Sequence, residues 1–129
     1  QLLKFDEIHS LRRSNKERIQ KALETIPGVR VVNERPEAET SWFGVPTVCE
    51  DNNLKRSLVA YLEENKIQTR NYFAGNILLH PGYRDLGKAS DYPNANQVLD
   101  KVFFLGCSPT INEKMLQYIE KVIGNYVSN

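Results

Sequence analysis

Lys101-Val102-Phe103-Phe104-Leu105-Gly106-Cys107 is a short, almost wholly apolar run, suited to a strand at the centre of a sheet. Just beyond it, Thr110-Ile111-Asn112-Glu113 has capping-box spacing, in which Thr110 satisfies the Glu113 N–H and Glu113 reaches back. A closing helix is therefore predicted, and Met115, Leu116, Ile119, Val122, Ile123 and Tyr126 give it an apolar face to lay on the sheet. In the other direction, Asn94 to Leu99 suggests a helical turn. Ala74 to Pro93 loses periodicity and is punctuated by Gly75, Pro81, Gly82, Gly87 and Pro93, so it reads as a loop of about twenty residues, a length more often functional than neutral.

Further back, Ile67 to Phe73 is a strand candidate. Asp51-Asn52-Asn53 offers a helix cap before Leu54, Leu58, Tyr61 and Leu62, in a helix ending near Asn65. Val29 to Val32 and Ser41 to Val48 read as two strands paired in a hairpin around the polar loop Asn33 to Thr40. Pro46 has no N–H to give a ladder, which places the second strand at an edge or on a bulge. Phe5, Ile8, Leu11, Asn15, Ile19, Ala22, Leu23 and Ile26 mark a helical stripe stopped by Pro27-Gly28. Run continuously, that helix is roughly 33 Å long, more than a small domain needs. Either its N-terminal half packs against something else, or it stands in solvent. The order is helix, strand, strand, helix, strand, loop, strand, helix around one sheet of three or four strands, an α/β (α+β) two-layer sandwich in a single domain.

Composition is consistent with one compact domain: 129 residues, 40% hydrophobic and 26% charged. A formal net charge of +1 provides no global field for nucleic acid or an anionic membrane, and no apolar run approaches the roughly 20 residues of a membrane span. A cytoplasmic setting is expected, with neither nucleic acid nor membrane as partner. Cys49 and Cys107 have no CxxC or His neighbour and are read as reduced packing residues, without a zinc site or disulfide framework. The sequence opens on Gln1 and not Met, which leads us to expect preceding polypeptide.

Self-contained catalysis has little support. His9 on the first helix reads as a surface residue, and His80 sits before Pro81 in the long loop; neither belongs to a metal or nucleophile motif. Glu34, Glu37 and Glu39 read as a solvated face, and no glycine spacing matches a phosphate-binding loop. The richest stretch is Thr69-Arg70-Asn71-Tyr72-Phe73-Ala74-Gly75-Asn76, which delivers an arginine, two aromatics and an amide to the mouth of the loop. Arginine is a two-pronged donor for a diphosphate, an aromatic face stacks on a sugar or base, and Asn both donates to and accepts from hydroxyls. The competing reading is that aromatics at a strand end are core.

In succession, Leu11-Arg12-Arg13-Ser14-Asn15-Lys16, Ser41-Trp42-Phe43-Gly44, the Asn53 to Thr69 helix and the closing helix resemble the C-terminal part of DegT/StrS-type sugar aminotransferases and dehydrases. Within that family, four segments are similar to the CDP-4-keto-6-deoxyglucose 3-dehydrases and related lipopolysaccharide-biosynthesis proteins: Thr69 to Asn76, Leu79-His80-Pro81-Gly82-Tyr83, Tyr92-Pro93-Asn94-Ala95 and Phe103 to Pro109. Asn71-Tyr72, Ile77-Leu78-Leu79 and Thr110-Ile111 depart from that pattern. The resemblance implies the small C-terminal domain of an aspartate-aminotransferase-like (fold type I) enzyme, with residues 1–27 linking to a large domain that lies outside this chain. It implies C3 deoxygenation of a nucleotide-linked 4-keto-6-deoxy sugar. It places pyridoxamine or pyridoxal 5′-phosphate, and every catalytic residue, on the large domain, and leaves Arg70, Phe73 and Asn76 to bind substrate. A homodimer with its own large domain is implied, and a reductase partner is compatible with it. An aminotransferase fragment and a non-catalytic binding module remain as alternatives, because the Lys or His at the cofactor-linking position would separate the first and is not in this sequence.

Overall fold

The computed structural model describes residues 2–128. The chain runs α1 (Phe5–Leu23), β1 (Val29–Val31), β2 (Gly44–Cys49), α2 (Asn52–Glu64), β3 (Thr69–Asn71), α3 (Pro93–Lys101), β4 (Val102–Gly106) and α4 (Glu113–Val127). The strands form one antiparallel sheet of order β1-β2-β4-β3, so the Lys101–Cys107 run supplies an internal strand as its composition predicts. Ile19 and Leu23 of α1, Leu58 and Leu62 of α2, and Leu116, Val122 and Ile123 of α4 close over Val45, Cys49, Phe103 and Leu105 on one sheet face. This is the expected two-layer sandwich.

Asp51 caps α2 by accepting from the Leu54 N–H at 2.8 Å, and Asn65 ends that helix, both as predicted. The cap of α4 is different. Asn112, not Thr110, accepts from the Met115 N–H at 3.1 Å, while Glu113 turns to Arg18 and Gln117. Two side-chain oxygens competed for one helix end, and the one nearer the first turn prevailed. α1 stops at Leu23, three residues short of the expected Ile26, because the Thr25 and Ile26 N–H groups tighten onto Ala22 and Leu23 before Pro27.

Pro46 corrects a further expectation. β2 lies between β1 and β4, and its register with β4 is unbroken from Gly44↔Gly106 to Val48↔Val102, so it is neither an edge nor a bulge. The Pro46 carbonyl accepts from the Val32 N–H at 2.9 Å. In an antiparallel pair a residue's N and O point to the same neighbour. The missing N–H therefore faces the end of β1, which stops at Val31, and takes nothing from the ladder with β4. The third strand is also shorter than expected, since β3 ends at Asn71 and Phe73 has left-handed backbone (φ 53°). The long loop is organised as short 3-10 turns at Ile77–Leu79, Pro81–Leu86 and Ala89–Asp91, and the turn expected after Pro93 is the full helix α3. At the other end of the chain, Leu2, Leu3, Phe5 and Leu11 are exposed apolar side chains.

Candidate functional site

Strand parity decides which residues face away from the helices. Val45, Thr47, Phe103 and Leu105 point into the core, so their neighbours Gly44, Pro46 and Phe104, together with Arg70 paired across from Phe104, point to the other face. On that open face Phe104 is the hub of an aromatic cluster. Its ring centroid lies 5.4 Å from Phe43, 6.3 Å from Tyr72 and 6.2 Å from Phe73. Gly44 permits this approach, because a Cβ there would stand 2.6 Å from the Phe104 ring. A concavity of about 260 Å³ opens among Trp42, Phe43, Pro46, Tyr72, Phe73 and Phe104.

Arg70 is exposed beside this cluster, and among the described residues no carboxylate lies within ion-pair distance of it. Phe73 is 70% exposed, and its left-handed φ is unusual for a bulky side chain. Such backbone costs on the order of 1–3 kcal/mol and persists where the surroundings impose it. Here Gly75 follows two residues later at φ 61°, packed so tightly on α3 that a Cβ would come within 2.5 Å of Leu99. Asn76 behaves differently from its two companions. It is only 3% exposed, its Nδ2 donates to the Ala89 carbonyl at 3.2 Å and to Asn96 Oδ1 at 2.8 Å, and its Oδ1 accepts from the Leu78 N–H at 3.0 Å. Arg70 and Phe73 thus share a surface, while Asn76 ties the loop behind it to α3.

Residue type alone gave no sign that Phe43 and Phe104 would join them and Tyr72. The usable signal was parity: Phe103 and Phe104 cannot both enter one core from one strand.

Other candidate groups are engaged elsewhere. His9, expected at the surface, is largely covered; its ring stacks on Phe5 at 5.5 Å and its Nε2 lies 3.2 Å from Glu39. His80 is exposed, with Nε2 3.2 Å from the Ala74 carbonyl. Glu34 is not part of a solvated face. Arg13 binds it through both terminal nitrogens at 2.6 and 3.0 Å, and the Thr40 N–H donates to it at 2.6 Å; these bonds hold its carboxyl down at about 2. Cys49 and Cys107 are buried free thiols, and burial pushes both up to about 11. Among the described residues no cluster of His, Cys, Asp and Glu could hold a metal ion.

A B6 cofactor needs an amine or histidine at an open cavity, donors for its phosphate and an acid for its ring nitrogen. Two lysines are buried, and desolvation lowers the pKa of each. The Lys16 ammonium donates to Gln20 Oε1 at 2.6 Å and Asn33 Oδ1 at 2.9 Å and sits 4.7 Å from the centre of the Trp42 ring; Lys55 donates to the Leu99 carbonyl at 2.5 Å. Both are sealed by these contacts, so neither buried lysine is placed to hold such a cofactor.

The model of the DegT/DnrJ/EryC1/StrS aminotransferase family matches residues 1–123. The chain belongs to that family. It is 33% identical to a dTDP-4-dehydro-2,6-dideoxy-D-glucose 3-dehydratase of Saccharopolyspora spinosa, over 99% of this chain and 29% of the relative. It is 30% identical to the lipopolysaccharide biosynthesis protein RfbH of Salmonella typhimurium, over 92% of this chain and 28% of that protein. Among solved structures it superposes on S. venezuelae DesV, held there with a ketimine intermediate, at a TM-score of 0.86 and 16% identity, covering 99% of this chain and 34% of that one. E. coli GDP-4-keto-6-deoxy-D-mannose-3-dehydratase with bound hydrated PLP aligns at 0.76 and 23% identity, covering 95% and 32%. The DegT-family chain described here therefore spans less than a third of its curated relatives, and its fold is the small-domain sandwich of fold type I aminotransferase and dehydratase chains.

Proposed function

We propose that this chain is the small, substrate-cleft domain of a nucleotide-linked 4-keto-6-deoxyhexose 3-dehydrase that removes the sugar C3 hydroxyl in deoxysugar or lipopolysaccharide biosynthesis. The observation that carries the proposal is the pairing, on the open sheet face, of an uncompensated Arg70 with the aromatic floor of Phe43, Tyr72, Phe73 and Phe104. A planar cation binds phosphate or hydroxyl oxygens, and aromatic faces accept the C–H surface of a sugar. Arg70 and Phe73 contact substrate; Asn76 completes the site by fixing the loop that presents Phe73. Two relatives support the dehydrase reading, one named a 3-dehydratase and the other a lipopolysaccharide-biosynthesis protein.

On this reading pyridoxamine or pyridoxal 5′-phosphate is bound by polypeptide beyond these 129 residues, together with the catalytic groups, in a cytoplasmic homodimer. Residues 1–27 make the connection, which would cover the exposed Leu2, Leu3, Phe5 and Leu11. The 129 residues alone would then carry no dehydrase activity, and a reductase partner is compatible with this reading. The test is turnover of a nucleotide-linked 4-keto-6-deoxy sugar by the full-length enzyme carrying Arg70→Ala. We expect kcat/KM to fall about tenfold or more, the loss of a charged hydrogen bond. Unchanged kinetics would reject the role of Arg70, and an amino sugar formed from an amino donor would identify an aminotransferase instead.

A further inference from the structure

Lys16 is a buried cation on α1, 5% exposed, and among the described residues no carboxylate lies within ion-pair distance of it. A methionine of similar length would fill the same space without the cost of desolvating an ammonium. What the charge adds is direction, because an ammonium is satisfied only where acceptors stand in fixed places around it. It donates to Asn33 Oδ1 at 2.9 Å and to Gln20 Oε1 at 2.6 Å, and it lies over the Trp42 ring, 4.7 Å from the centre and within cation–π range.

Gln20 is held in its orientation by both neighbours. Lysine only donates and a carboxylate only accepts, so Gln20 turns its oxygen to Lys16 and its Nε2 to the two Glu24 oxygens, at 3.1 and 3.2 Å. Glu24 also accepts from the Val31 N–H at 3.1 Å, at the end of β1. The ammonium is therefore fixed to the first strand through one side of α1. Asn33 follows β1 and Trp42 precedes β2, so Lys16 grips both ends of the connection between them. The Trp42 backbone has a separate anchor, its carbonyl accepting from the Cys107 thiol at 3.3 Å. Its ring is half-buried against the core and borders the aromatic concavity. With the main chain held by Cys107, the set of the indole along that border is decided by the cation over it.

We propose that Lys16 is a positioning residue for substrate: through the Trp42 indole it fixes one wall of the concavity assigned above to the sugar. The inference rests on that assignment and adds a residue that itself touches no ligand. Its test is a double-variant cycle in the full-length enzyme, using Lys16→Met, which keeps length and removes charge, and Trp42→Phe. Lys16→Met should raise KM for the nucleotide-linked sugar about tenfold, the size of a desolvated cation–π contact. It should leave kcat nearly unchanged, since a wall contacts ground state and transition state alike. In the Trp42→Phe background it should raise KM no further, because the ring it positions is gone. Asn33→Ala, at an exposed position outside the core, should give the same change in smaller measure. With fluorotryptophan incorporated, the fluorine resonance that disappears in Trp42→Phe should shift in Lys16→Met before any substrate is added.

A KM unaltered by Lys16→Met would overturn the inference. So would effects that multiply in the double variant, the result expected if Lys16 only stabilises the fold. An unmoved Trp42 resonance would overturn it with no substrate present. That measurement separates the inference from the dehydrase reading, which fails instead if product analysis shows an amino sugar.

Discussion

Phe103 and Phe104 are adjacent on β4, yet one is sealed beneath three helices and the other floors an aromatic cluster on the uncovered side of the same sheet. The covered face carries Val45, Cys49, Phe103 and Leu105, shapes that fill space and carry almost no hydrogen-bonding chemistry. The open face carries Arg30, Arg70, Tyr72 and Phe73, which have more chemistry than packing. One strand serves both purposes because alternate side chains project to opposite sides, so stability and recognition can be altered separately within a few residues.

The sharpest way to break that comparison is to truncate each phenylalanine in turn. Phe103→Ala should cost about 3–5 kcal/mol, because its cavity lies inside a closed core that can collapse only partly. Phe104→Ala should cost less, since water can enter the space from the open side, while lowering kcat/KM of the full-length enzyme more than Phe103→Ala does in whatever fraction stays folded. Equilibrium urea unfolding alongside turnover checks both. Equal stability losses would show that the open face is packed as tightly as the covered one.

A smaller effect tests how the open face is held in shape. Asn76→Ala removes three hydrogen bonds from a buried amide and leaves the Ala89 carbonyl, the Asn96 side chain and the Leu78 N–H with a lost partner. The expected cost is about 1–3 kcal/mol, and it should be local: amide exchange should accelerate from Ile77 to Asp91 and stay unchanged in β2 and β4. Uniform acceleration would mean that the loop and the sheet unfold as one unit.

What could be read in advance follows the range of the interactions involved. The cap at Asp51, the apolar faces of α2 and of α4 apart from the exposed Met115, and the internal strand at Lys101–Cys107 depend on neighbours within a turn or a strand, and they stand as predicted. Pro46 was misplaced because its meaning depends on where β1 ends, a fact about another strand. Thr110 lost the α4 cap to Asn112 by two residues, a choice between near-equal local options. At the candidate site, the arginine and aromatics of Arg70 to Phe73 were visible as chemistry. Their assembly with Phe43 and Phe104 needed the register of β2, β3 and β4, and the burial of Asn76 needed the contact of its loop with α3.

The mildest prediction concerns the strap that joins the two faces. Arg13 of α1, in the covered layer, grips Glu34, and Glu34 in turn accepts from the Thr40 N–H at the entrance to Trp42 and Phe43, which border the open-face concavity. The Glu34 carboxyl is held at about 2, below the roughly 4.3 expected of a glutamate in an unfolded chain. Folding therefore gains from its ionised form in full above that unfolded value, and the gain is lost as pH falls through the interval toward 2. Both partners are partly solvent-exposed, so the effect on global stability should be slight. Its local effect should be larger: between pH 4 and pH 1, as the carboxyl is protonated through about 2, the Trp42 indole and Thr40 amide resonances should shift together in the wild-type protein. Glu34→Gln should place both near their acid positions at every pH, and resonances that shift alike in the variant would show that the strap does not control this edge of the site.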